Sequence, residues 1–235
     1  MSSKINFKGS ARDEAKVLIE ELNTHKLETR INAVKKVISA MTVGKNVSDL
    51  FPHVLKCVES QNLELKKLVY LYIINYAKAQ PDLTLMAVNT FRKDSTERVN
   101  PLIRALAVRT MGCIGIEQMV EFTISPLQSA LNDEDAYVRK TAAMCVAKVY
   151  ENNPEKTEEA GLLKTLVDLL KDGNGMVVSN AVAAISEIQL KKGKFVTLTH
   201  DLVHQLLNAL PECSEWGRIY ILDFLSENDL EYNKA

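Results

Sequence analysis

The stretch Asn100-Pro101-Leu102-Ile103-Arg104-Ala105-Leu106-Ala107-Val108-Arg109 reads as the start of a packed helix. The Asn100 side-chain oxygen is suited to cap the first turn, and Pro101 in the first helical position gives up no N–H that the helix needs. The helix is therefore expected from about Leu102. Ile103 and Ala107 lie four residues apart, on one face, and Ala107 is small enough to admit a neighbouring helix backbone. Arg104 and Arg109 sit beside that packing face.

The same template recurs at Lys26–Ala33 with Arg30, at Asn62–Val69 with Leu65 and Lys66, at Asp135–Ala142 with Val138 and Arg139, and at Asn174–Ala181 with Val177. The copies are spaced by roughly 35 to 39 residues, the period of helical hairpin repeats. Val178 replaces the basic residue in one copy, and Trp216-Gly217-Arg218 fits only loosely.

Six helix pairs follow from this register. They are Asp13–Asn23 with Glu28–Met41, Leu50–Glu59 with Leu63–Ala77, Leu83–Arg92 with Leu102–Cys113, Gln118–Leu131 with Ala136–Tyr150, Glu158–Leu170 with Met176–Leu190, and Leu202–Leu210 with Glu215–Leu225. Turn signals fall between them at Gln80-Pro81-Asp82, Asn132–Asp135, Asn152-Asn153-Pro154 and Asp172–Gly175. The run Leu68–Ile74 is rich in β-formers, but it lies inside the repeat register, which outranks local propensity. The expected fold is all-α, a right-handed α-α superhelix of HEAT/armadillo-like hairpins forming one continuous solenoid domain over residues 1–235.

Composition agrees with a folded, soluble chain: 235 residues, 46% hydrophobic and 25% charged, with a formal net charge of −1 that favours no partner class. Cys57, Cys113, Cys145 and Cys213 are far apart on apolar helical faces and read as core thiols of a reducing compartment. No segment reaches the roughly 18 apolar residues of a membrane span, and the N-terminus has no apolar signal core.

Chemistry is sparse. His200-Asp201-Leu202-Val203-His204 sets two imidazoles one turn apart, but Asp201 is too short for the general base of the metalloprotease motif, and only Glu212 or Glu215 offers itself as a third ligand. Met41–Asn46 carries a Gly-Lys pair without the earlier glycine and the Ser or Thr of a phosphate loop, and it follows a helix. No metal, cofactor or enzymatic function is expected. Binding surface remains. Between Lys26 and Lys67 basic residues outnumber acidic ones about two to one: Lys26, Arg30, Lys35, Lys36, Lys45, Lys56, Lys66 and Lys67. That patch suits phosphorylated partners or an anionic membrane, and scattering over several solvated faces is the plain alternative. Nucleic acid is not expected, because Tyr70, Tyr72 and Tyr76 lie in a helix that needs them for packing.

Several of these stretches are similar to β-adaptin, the large β subunit of heterotetrameric clathrin adaptor complexes. Ala33–Lys45, Asn62–Tyr72, Asn100–Cys113, Tyr137–Ala143, Val177–Ala184 and Glu215–Arg218 match its N-terminal trunk in order, from about residue 20 to 225. The resemblance implies a non-enzymatic scaffold in vesicle-mediated transport, assembled with a second large adaptin of α or γ type and with medium and small subunits to sort cargo. It implies a cytoplasmic protein, peripheral on Golgi, endosomal or plasma-membrane coated vesicles and pits. Clathrin recognition would lie in regions outside this chain, which is read as an N-terminal portion of a longer subunit. Other HEAT-repeat scaffolds, of nuclear transport or of phosphatases, would share the helical period without these stretches. The resemblance further implies phosphoinositide contact at Lys26, Lys35 and Lys36, weaker where Leu27 and Thr29 replace lysines of relatives. It implies an Arf-family GTPase contact at Leu85 and Val88, residues that helix packing alone would also explain. Finally, it implies a tail plug at Phe7, near the small subunit's cargo pocket.

Overall fold

Capped helix starts at a regular spacing set the architecture. In the computed structural model, which describes residues 11–228, the side chains of Asn62, Asn100, Asp135, Asn174 and Ser214 each accept a backbone N–H of the helix they precede. These caps stand 38, 35, 39 and 40 residues apart. Ser214 shows that the Trp216–Arg218 segment is a copy in register and not a loose fit. Among the described residues no strand forms beyond an isolated bridge position at Leu198.

The chain divides into two compact units, residues 1–90 and 91–235. The first contains α1 (Ala11–Asn23), α2 (Leu27–Thr42), α3 (Phe51–Leu55), α4 (Leu63–Tyr76) and α5 (Pro81–Leu85), and α6 (Val88–Ser95) crosses the boundary. Here α2 packs against α1 and α4, and α3 against α1 and α4. The strand-like run Leu68–Ile74 is helical within α4 and supplies the core: Tyr70, Tyr72 and Ile73 are buried. The Tyr72 hydroxyl donates to Val47 O at 2.6 Å and the Tyr76 hydroxyl accepts from Val47 N at 3.2 Å, so two aromatic side chains pin the α2–α3 connection.

The second unit contains α7 (Pro101–Cys113), α8 (Glu117–Leu131), α9 (Ala136–Asn152), α10 (Pro154–Glu159), α11 (Leu162–Asp168), α12 (Gly175–Lys192), α13 (His200–Ala209) and α14 (Glu215–Glu227). Helices α7, α9, α12 and α14 pack in sequence as one row, with α8, α10, α11 and α13 against them as a second. One apolar core runs through the unit, with Val138, Val146, Val177, Ala181 and Ile185 fully covered. Each buried Val or Ile stabilises the stack by about 1.5–3 kcal/mol relative to exposure. The first row is uninterrupted. The second is not: Pro126 lies inside α8, and the expected helix Glu158–Leu170 begins at Pro154 and breaks at Gly161, whose φ of 71° no helix accepts. In the first unit the expected Leu83–Arg92 helix is likewise two pieces, α5 and α6.

The basic residue four places after a cap is not simply solvated: it is buried at Lys66 and Arg104, partly buried at Arg139 and exposed at Arg218, and in each case it is held by hydrogen bonds. Lys66 is fully buried, and its ammonium donates to Val58 O at 3.1 Å. Arg104 is 7% exposed and forks onto Asp133, with Nε–Oδ2 at 2.8 Å and Nη2–Oδ1 at 2.7 Å, while Nη1 donates to Glu97 O. Arg139 repeats this on Asp172 at 2.7 and 3.0 Å and on Asp133 O. Arg218 donates to Leu210 O and Pro211 O. Thus a cation from one hairpin binds the turn carbonyls of its own hairpin, and in two repeats also the carboxylate that precedes the next cap. Where Val178 replaces the arginine, the corresponding acid, Glu212, turns instead to the N–H of Gly175 at 3.2 Å.

Candidate membrane and partner surfaces

Lys26 occupies the cap position of α2, where a side-chain acceptor normally sits, and makes no capping bond. It thereby adds a cation to the positive end of a 16-residue helix. Nearby, Lys56 Nζ donates to Asn23 Oδ1 at 3.3 Å, and Asn23 Nδ2 lies 3.1 Å from His53 Nδ1, which as neutral imidazole accepts that bond. Partial burial, with the charge of Lys56 behind it, holds His53 below the ordinary imidazole range. Lys56 thus reaches the end of α1, a contact that sequence spacing hides because 33 residues separate it from Asn23.

Lys35 and Lys36 lie elsewhere. They come nine and ten residues after Lys26, roughly 14 Å further along the helix. Lys35 pairs with Glu64 of α4 at 2.6 Å, and Lys36 reaches both carboxylate oxygens of Glu21 of α1 at 2.8 Å. Lys66 leaves the patch altogether, since it is buried.

Val88 is 6% exposed and serves the core, whereas Leu85 is half-buried. Between them Met86, which the sequence reading passed over, is 70% exposed. Leu85 and Val88 lie on either side of the break between α5 and α6. Phe7 lies outside the described residues.

His200 and His204 are both exposed on α13, and among the described residues no trio of His, Cys, Asp and Glu is placed to hold a metal. The Gly-Lys pair follows α2, with Gly44 at a φ of 80°, as a helix-ending turn. Three cysteines are buried as expected, and burial pushes the Cys145 thiol up to about 12. Cys113 departs from the expectation: at the end of α7 it is exposed. No helix among the described residues is long and apolar enough to cross a membrane.

A family model described as the adaptin N-terminal region matches residues 10–233. The AP-1 complex subunit beta-1 of Mus musculus is 54% identical over 228 residues, 96% of this chain. The chain spans about a quarter of that relative's length, 24%. Among structures, a homology model of the full-length AP-3 complex aligns with a TM-score of 0.68 at 22% identity, over 92% of this chain and 35% of that one. A designed armadillo repeat protein aligns with a TM-score of 0.58 at 22% identity, over 91% of this chain and 99% of that one. The fold is thus an α-solenoid of HEAT/armadillo-like repeats.

Proposed function

We propose, since this chain belongs to the adaptin N-terminal family, that it forms the beginning of the trunk of a β-type large subunit and acts as a non-enzymatic scaffold of an adaptor complex. The observation that carries this reading is the row α7, α9, α12 and α14, in which partly buried Arg104–Asp133 and Arg139–Asp172 pairs tie successive hairpins together. A repeat stack of this kind offers an extended surface for partners, and a fixed register between hairpins is what holding several subunits requires. The partners in this reading are a second large adaptin of α or γ type, a medium subunit and a small subunit. Cargo sorting on the cytoplasmic side of coated membranes is their joint task, and clathrin is engaged through other regions. Co-purification of the full-length protein from cells tests it. Recovery of a second large adaptin with medium and small subunits is expected; recovery of nuclear-transport or phosphatase partners instead would overturn it.

Peripheral membrane contact through phosphoinositides is the second part of the reading, with Lys26, Lys35 and Lys36 as its residues and Lys56, which reaches the end of α1, added to them. Each lysine near an anionic surface adds about 1 kcal/mol, so K26Q/K56Q in the assembled complex should weaken binding to phosphoinositide liposomes roughly 30-fold. K35Q/K36Q should weaken it less, because Glu64 and Glu21 already offset those charges. Liposome flotation at two salt concentrations measures both; equal binding by all variants would refute the site. In this reading the Arf-family GTPase contact expected at Leu85 and Val88 falls to Leu85, with the exposed Met86 next to it, because Val88 is buried.

A further inference from the structure

The unbroken row of helices carries a trough that neither the family match nor the membrane reading uses. Nine residues after successive caps, α9, α12 and α14 carry Met144, Ala183 and Asp223. The middle helix therefore has the smallest side chain of the three, and one turn on it has Ser186. Two short residues between taller neighbours leave a trough of about 310 Å³ over α12, walled by Met144 on one side and Tyr220 on the other. Leu190, 89% exposed, extends its apolar rim.

The charge around it is unbalanced. Glu187 is paired with Lys148 at 2.8 Å, and Glu151 with Lys191 at 3.0 Å. Asp223 and Glu227, one turn apart along α14 on the trough wall, have carboxylates with no cationic partner among the described residues; Lys194 donates to the backbone carbonyl of Glu227. The exposed face of Tyr220 lies on the same wall and favours a cation over its ring.

We propose that this trough binds an extended peptide segment of a partner protein in which a lysine or arginine is flanked by an apolar side chain. The apolar group fills the space over Ala183 between Met144 and Tyr220, and the cation lies against Asp223 and Glu227. The complementarity is one of sign and shape together: a basic segment without the apolar group leaves the floor empty, and an apolar segment without the cation leaves two carboxylates unanswered.

Fluorescence anisotropy of the full chain with a labelled nonapeptide of alternating lysine and leucine tests the proposal, with the glutamate-for-lysine peptide as comparison. Saturable micromolar binding of the basic peptide alone is expected. D223N/E227Q should weaken it by about fivefold, as befits the removal of two exposed charges. Ala183→Leu, which fills the floor without changing charge, should weaken it by at least about as much through direct exclusion. Far-ultraviolet circular dichroism and the thermal midpoint establish that both variants fold; at the half-buried Ala183 an added side chain has room to point outward. Unchanged affinity in A183L would overturn the proposal even if the charge variant weakens binding, since it would reduce the effect to non-specific attraction. Equal binding of the acidic peptide, or no binding of the basic one at low salt, would overturn it as well.

Discussion

Replacing Asp133 by Asn tests whether the Arg–Asp pairs hold the hairpins together. Arg104 and Asp133 are joined by two parallel bonds of 2.8 and 2.7 Å, with side chains only 8% and 13% exposed, and Asp133 also accepts the N–H of Asp135 at 2.9 Å. Asn keeps the shape but places an NH₂ where a carboxylate oxygen accepted, and it leaves the guanidinium with Glu97 O and the distant carboxylate of Glu134 at 3.8 Å. Breaking a buried pair from one side costs about 3–5 kcal/mol; because Glu134 is exposed and free to swing closer, the expected cost here is about 2 kcal/mol. For a chain of this size that lowers the thermal midpoint by about 4–8 °C. Burial works to raise the Asp133 carboxyl, but Arg104 and the Asp135 N–H outweigh it and hold the group below its ordinary value. Its contribution is therefore complete above the unfolded carboxylate value of about 3.9 and decays as the pH falls from there through the depressed folded value. Urea unfolding from pH 7 to pH 3 should show the wild-type advantage shrinking at the acid end. In a double-mutant cycle with R104M the coupling should exceed about 1 kcal/mol. Strict additivity, or a cost below about 0.5 kcal/mol, would refute the reasoning.

Other outcomes follow from packing and exposure. A side-chain carbon added at Gly217 would stand 2.9 Å from Ser179 Cβ, so G217A should destabilise the α12–α14 contact by about 1–3 kcal/mol, read by denaturant midpoint. In the native protein a thiol reagent should titrate Cys113 rapidly and leave Cys57, Cys145 and Cys213 unmodified until unfolding; fast reaction of more than one thiol would contradict their burial.

The helix starts were legible because a cap is a local device: Asn62, Asn100, Asp135 and Asn174 act within three residues of themselves. What the cation after each cap does was not, because a basic residue beside an apolar face reads as solvated. Its recurrence was the overlooked signal, since a solvated charge has no reason to repeat in step with the core. Ser214 was missed because Trp216, 72% exposed, does not resemble a packing residue. The break at Gly161 lay inside a run of good helix formers, where a single glycine shows its φ only in the structure. Among the candidate binding residues, the ion pairs of Lys35 and Lys36 and the approach of Lys56 to the end of α1 depend on contacts between helices, which a linear pattern does not record. Met86 escaped notice because one continuous helix was expected there.

The contrast between the two rows of the second unit has a mechanical meaning. Helices α9 and α12, of 17 and 18 residues without a break, are stiff struts about 26 Å long. Their opposite row is jointed, at Pro126 and again at Gly161. When load is applied to such a stack, strain collects at the joints, where fewer backbone bonds resist it, and the struts keep their length. The second unit thus resembles a ruler jointed along one edge, while the marks on its unbroken edge, Met144, Ala183 and Asp223, keep one register from cap to cap.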